Sequence, residues 1–149
     1  MIIRFRETFT LPAAAVHGYF RTPADWVRLY GFAGRVEDRG DGWYAVPLRS
    51  FPFPLVARIT DDDPPRRVRW RFRGFWRGDG EVCIQEITGG IVVEGHEDIS
   101  IRWLGVFSPI VERPLLERQF RRIWQLGWDR LRRHEPAARA PVNALMESQ

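Results

Sequence analysis

Three glutamates stand where strand periodicity would turn them toward a protein interior. Glu7 shares a phase with Ile3, Phe5 and Phe9, Glu86 with Val82 and Ile84, and Glu97 with Val93, Ile99 and Ile101. A period of two puts each carboxylate on the apolar face of its strand. Burial there raises a carboxyl pKa, and such a group can give or take a proton near neutral pH. Glu97 is the first candidate for a general acid or base, because Gly95 precedes it on the same face and leaves room beside it. Glu86 and Glu7 follow, although a bulge at Glu86 would turn that side chain outward. The structural alternative is simple: an inward carboxylate can accept a hydrogen bond from a Tyr or Trp donor, or lie near a wet rim.

Other chemistries find little support. His17, His96 and His134 fall on a short helix, a strand and a helix end, and no pair has metal-ligand spacing. The single Cys83 adds nothing to them, so no metal site is expected. There is no G-x-S-x-G elbow, P-loop or G-x-G-x-x-G stretch, and no cofactor is expected. Cys83 alternates with Val82 and Ile84, which predicts an outward, inert thiol. Arg67, Arg69, Arg71, Arg73 and Arg77 form a ladder that could hold phosphates or an anionic surface. Nucleic-acid modules interleave exposed aromatics with such residues. Here the aromatics take the opposite phase, and acids such as Glu81, Glu94 and Asp98 on neighbouring strands should lace the ladder. No nucleic-acid partner is expected.

The elements that must position these groups are legible in order. Ile3 to Thr10 alternate as a first strand with one buried face. Pro12 opens a short helix over 13–20, and Thr22-Pro23 supplies an N-cap and a preset first turn for a second short helix through Trp26 and Leu29. Gly40-Asp41-Gly42, Pro52-Phe53-Pro54, Asp61 to Pro65, Gly78-Asp79-Gly80 and Gly89-Gly90 are turn signals. The runs between them, 35–39, 43–51, 55–60, 68–76, 81–88 and 91–103, predict a meander that makes seven strands with the first. In Val68-Arg69-Trp70-Arg71-Phe72-Arg73 the alternation is strict, which means one buried and one wet face.

The stretch from Pro114 to His134 then reads as a long helix. Leu116, Phe120, Ile123, Gly127 and Leu131 form its apolar stripe, flanked by Trp124 and Trp128, and arginines cover the other side. Glu117–Arg121 and Asp129–Arg133 have the spacing of stabilising pairs. Ser108-Pro109 predicts a separate short turn, with a kink at Pro114 before the main helix. Pro136 should stop the helix.

The chain has 149 residues, 44% hydrophobic and 13% aromatic with seven Trp, and a net charge of +4. That is a globular composition with enough length for one domain. A single domain over 1–135 is expected, with 136–149 a flexible tail. No apolar run approaches the ~20 residues of a membrane span, and the first residues lack signal-peptide anatomy. One cysteine suits a reducing cytoplasm. All 23 basic residues are arginine; because this is chain-wide, codon usage explains it better than selection for anions.

The order of strand, two short helices, six strands and a long last helix resembles the helix-grip fold of the START/Bet v 1-like (SRPBCC) superfamily, in particular its polyketide cyclase/dehydrase and lipid-transport group. The motifs that carry the resemblance are Thr22-Pro23-Ala24-Asp25-Trp26, the Gly89-Gly90 hairpin, and Pro109-Ile110-Val111-Glu112-Arg113-Pro114-Leu115-Leu116. It spans residues 1 to about 135 and implies an α+β fold. A curved seven-stranded antiparallel sheet would grip the long C-terminal helix and leave a cavity for an apolar ligand between them. Trp70, Phe72, Trp76, Phe120, Ile123, Trp124 and Gly127 would then wall the site, with Glu97 and Glu86 orienting a polar group. Gly74 and Gly95 would fall on the same face and leave room, and Gly127 would either admit a ligand or allow close packing.

A small hydrophobic or amphipathic molecule is therefore the expected partner. The first alternative is an enzyme of the cyclase or dehydratase sort using the same cavity. The second is an interaction module working through the Arg face or as a homodimer. No integral membrane segment is expected.

Overall fold

The computed structural model describes residues 1–30, 34–48, 51–101 and 108–135, with helix side chains described from 114 onward. Seven strands form one curved antiparallel sheet: β1 Ile2–Phe9, β2 Glu37–Asp38, β3 Tyr44–Val46, β4 Leu55–Asp63, β5 Arg67–Arg73, β6 Trp76–Ile87 and β7 Gly90–Ile101. Their order is β1-β7-β6-β5-β4-β3-β2, so β1 closes back beside the last strand and forms an edge. Helices α1 (Ala13–His17) and α2 (Trp26–Tyr30) follow β1, and α3 (Ser108–Arg133) packs on the same face of the sheet. Among the described residues no helix is long and apolar enough to cross a membrane.

Local chemistry accounts for these elements. Thr22 donates its N–H and hydroxyl to Asp25 Oδ2 (3.1 Å each) at the 3-10 turn Pro23–Asp25 that leads into α2. On β5, Val68, Trp70 and Phe72 are buried and the intervening arginines are exposed. On α3, Phe120, Ile123, Trp124, Gly127, Trp128 and Leu131 are buried while Arg118, Arg121, Arg122 and Arg133 face solvent. Arg121 pairs with Glu117 at 2.8 Å. Asp129 accepts instead from Gln125, at 2.9 Å, and not from Arg133.

Several expected boundaries move. β6 runs unbroken through Gly78-Asp79-Gly80, which is no turn, and the chain reverses instead at Gly74-Phe75, so that Trp76 opens β6. Gly78 is needed because a Cβ there would lie 1.8 Å from the Asp98 carbonyl oxygen. Asp61 to Asp63 belong to β4, past a register shift between Ile59 and Asp61. α3 is one helix from Ser108 and not a turn followed by a second helix; Pro114 lies inside it, and only one backbone bond is forfeited. Gly31, Trp103, Pro136 and the expected tail lie outside the described residues.

Long-range polar contacts pin the helices to the sheet. His17, buried on α1, meets Asp62 of β4 at 2.7 Å. Glu135, just past α3, accepts from the Thr10 N–H (3.1 Å) and hydroxyl (2.8 Å). Arg132 pairs with Glu7 and donates to the Thr8 carbonyl at 2.8 Å.

Candidate functional site

One row of residues across the sheet builds the site. Trp70 of β5 lies opposite Gly80 of β6, Gly80 opposite Glu97 of β7, and Glu97 opposite Ile3 of β1. Gly80 lets the row close up: a Cβ there would fall 2.4 Å from the Trp70 indole nitrogen. The Trp70 ring therefore lies flat over β6, with its N–H on the side of Glu97. Glu97 itself is 3% exposed, and its Oε2 accepts from the Trp124 indole N–H at 2.9 Å. A carboxyl and a helix indole thus meet in the middle of the sheet–helix interface.

Burial pushes Glu97 up to about 7, against the opposing pull of the Trp124 N–H and of the nearby Trp70 indole. Trp70 is close enough to be felt electrostatically, yet its N–H does not reach hydrogen-bond geometry and has no acceptor. Tyr30, at the end of α2, stacks edge-on against Trp124 at 5.7 Å. Its phenol is raised well above its ordinary range by burial, with the Glu97 charge adding to the effect. The interior therefore offers a carboxyl whose proton affinity burial has raised toward the neutral range. The Trp26 and Trp128 indole N–H groups are also buried without partners.

Around this centre the rings are close. Phe5 stacks on Trp124 at 4.4 Å, Trp124 on Trp128 at 5.3 Å, and Trp26 meets Trp70 edge-on at 5.3 Å. Trp76 meets Phe120 edge-on at 5.3 Å, and Phe51 stacks on Phe120 at 5.5 Å. The expected wall residues Trp70, Phe72, Trp76, Phe120, Ile123 and Trp124 are all buried on this core. Hollows of about 520 and 380 Å³ lie on the convex face, meeting at Glu81 and His96, and one of about 260 Å³ lies between β1 and α3. None of these is walled by Phe72, Trp76 or Phe120.

The other predicted positions separate from the centre. Glu86 is exposed, which corrects the inward expectation: its phase matches Ile84, but it sits one residue from the end of β6, past the last pairing with β5 at Arg67–Cys83, so that no strand flanks it on that side. Glu7 has the inward phase and lies at the rim, where Arg132 answers it. Gly127 serves close packing, since a Cβ there would stand 3.0 Å from Leu29 Cγ and 3.4 Å from Tyr30 Cδ1. Gly74 is exposed in a turn at φ +90° and opens no space inside. A Cβ on Gly95 would strike the Glu81 carbonyl oxygen (2.0 Å) and Phe5 Cζ (2.8 Å), so that glycine too is filled and leaves no room.

Sequence reasoning passed over Tyr30 and Gly80. Gly80 carried a usable signal, because Trp76, Gly78, Gly80, Val82 and Ile84 share one phase.

The convex face is a charge lattice. Arg69 pairs with Glu81, Arg67 with Asp61 at 2.9 Å, and Arg6 with Glu94 at 3.6 Å. One aromatic joins it: Arg73 lies 4.2 Å over the Trp43 ring. Cys83 donates to Glu81 at 3.4 Å, and burial first, then Glu81, push its thiol up to about 11, which leaves it unreactive. Among the described residues no three His, Cys, Asp or Glu side chains gather to hold a metal.

This architecture coincides with a family match. Residues 3–134 match the family described as polyketide cyclase / dehydrase and lipid transport, and the chain belongs to it. Among solved structures, DR_A0006 from Deinococcus radiodurans is 19% identical, covers 91% of this chain and 98% of its own, and superposes with a TM-score of 0.60. The Aha1 dimer from Colwellia psychrerythraea is 10% identical with coverages of 94% and 99% and a TM-score of 0.67. CV1439 from Chromobacterium violaceum is 16% identical with coverages of 91% and 97% and a TM-score of 0.66. At these identities the likeness is one of fold. No curated protein sequence matches the chain at a significant level.

Proposed function

We propose that this chain binds a small apolar or amphipathic molecule between the sheet and α3, with Glu97 as its polar anchor and Trp70, Phe72, Trp76, Phe120, Ile123 and Trp124 about it. The observation that carries this reading is the carboxyl of Glu97, buried among aromatic rings with one indole donor. Burying such a group is expensive, and packing alone would be better served by leucine. The unpartnered N–H groups of Trp26 and Trp128 favour a ligand that carries hydrogen-bond acceptors, such as a carbonyl or carboxylate. Because the rings are in contact, entry requires them to part.

A second reading rests on the same group. With its pKa raised to about 7, Glu97 has the proton affinity of a general acid or base in a cyclase or dehydratase. The interaction-module alternative rests on the Arg face, of whose ladder Arg67 and Arg69 are answered by Asp61 and Glu81. We further infer a single domain over 1–135 and a cytoplasmic setting, for which the lone Cys83 speaks. A homodimer is a candidate assembly, and one similar fold is described as a dimer.

Titration with 1-aminoanthracene, an uncharged apolar probe whose amine can donate to the Glu97 carboxylate, read by energy transfer from tryptophan, tests the binding reading. Saturable one-to-one binding that weakens about tenfold in Glu97→Gln is expected for loss of one charged-group hydrogen bond. No saturable binding, or equal binding to both proteins, refutes the anchor.

A further inference from the structure

We propose that the free edge of β1 is a docking strand for an extended acidic peptide. β1 pairs with β7 on one side only. Ile99 donates its N–H to the Met1 carbonyl at 2.9 Å, so odd-numbered residues of β1 turn their backbone groups toward β7 and even-numbered ones turn theirs outward.

At the far end α3 covers these outward groups. Arg132 takes the Thr8 carbonyl and Glu135 takes the Thr10 N–H. The N–H and C=O groups of Ile2, Arg4 and Arg6 have no such cover among the described residues. An uncovered row of this kind is a template for another strand.

The charge on the edge selects the occupant. Arg4 and Arg6 are exposed on one face of it, Arg6 in a long, solvent-exposed pairing with Glu94 (3.6 Å), and Arg121 of α3, paired with Glu117, borders the groove of about 260 Å³ on the other. A second copy pairing antiparallel through the same groups would set Arg4 against Arg4 or Arg6 of its partner in the central registers, and like charges directly opposed are destabilising. A peptide alternating acidic and apolar residues avoids that conflict. Its carboxylates would stand beside Arg4 and Arg6, and its apolar residues would enter the groove beside Phe5.

The test uses two synthetic eight-residue peptides, one alternating glutamate with valine and one alternating lysine with valine. Binding is followed by backbone amide hydrogen exchange of the intact chain. The glutamate peptide should bind saturably and slow exchange of the Arg4 and Arg6 amides, while the lysine peptide should not. In the double variant Arg4→Glu/Arg6→Glu, with its fold checked by circular dichroism, the preference should invert, each peptide's affinity changing about tenfold for two cross-strand charges. Should the double variant fail to fold, the wild-type exchange pattern alone decides. Equal binding of both peptides, binding without protection of these two amides, or their protection by concentration-dependent dimerisation in the absence of peptide overturns the proposal.

Discussion

Replacing Glu97 by glutamine should remove a specific slope from the pH dependence of stability. Folding raises this carboxyl from 4.5 to about 7, chiefly by burial. The folded state therefore holds the proton more tightly than the unfolded chain. Stability contributed by the protonated acid is present below about 4.5, is lost as pH rises toward 7, and is level above that. Each tenfold change in proton affinity is worth about 1.4 kcal/mol, so the full effect is about 3 kcal/mol, most of which falls between pH 5 and 8. Glutamine can still accept from the Trp124 N–H and has no proton to lose. Urea melts followed by tryptophan fluorescence at pH 5, 6, 7 and 8 read the difference directly, and titration of the other groups cancels between the two proteins. Glu97→Gln should gain about 2–3 kcal/mol on the wild type across that range. Parallel curves, agreeing within about 0.5 kcal/mol at every pH, would show that Glu97 titrates as an open carboxylate and would refute its burial among the rings.

Three further changes probe the same row and its supports. Gly80→Ala drives a Cβ into the Trp70 ring and should cost about 1–3 kcal/mol by overpacking, read as a lowered urea midpoint; an unchanged midpoint contradicts the close approach. Trp124→Phe removes the donor to Glu97 and should raise that carboxyl further, so its cost, about 1–3 kcal/mol, should be larger at pH 8 than at pH 5; an equal cost at both denies the bond. Glu135→Ala strips the buried acceptor from Thr10 and should lower stability by about 1–2 kcal/mol, with faster exchange of the Thr10 amide; unchanged exchange would deny that contact.

What the sequence could and could not reveal follows from the range of each interaction. Strand phase is a local property, and β5 and β7 carry it cleanly, which is why the buried face and the inward Glu97 were legible. Phase does not report depth along a strand. Glu86 has the right parity and still reaches solvent, because β6 outruns its neighbour β5, whose pairing ends at Cys83. Glycine is ambiguous in the same way: at Gly74 it turns the chain, whereas at Gly78 and Gly80 it lets a strand or a ring come close, and only the cross-strand partner tells which. The answering charge for Glu7 lies 125 residues away on α3, and no local pattern names it. Pro114 misled for an energetic reason: one lost backbone bond is smaller than the gain of docking a long amphipathic helix on an aromatic sheet.

The central claim is that the interior around Glu97 receives a molecule from outside. Native mass spectrometry of the chain purified from its own host, beside Glu97→Gln prepared identically, tests it most directly. The wild type should carry an added mass that collisional activation removes as a small, acceptor-bearing molecule, and the variant should be depleted in it. The bare chain mass for both proteins, or the same adduct on both in equal amount, would contradict it.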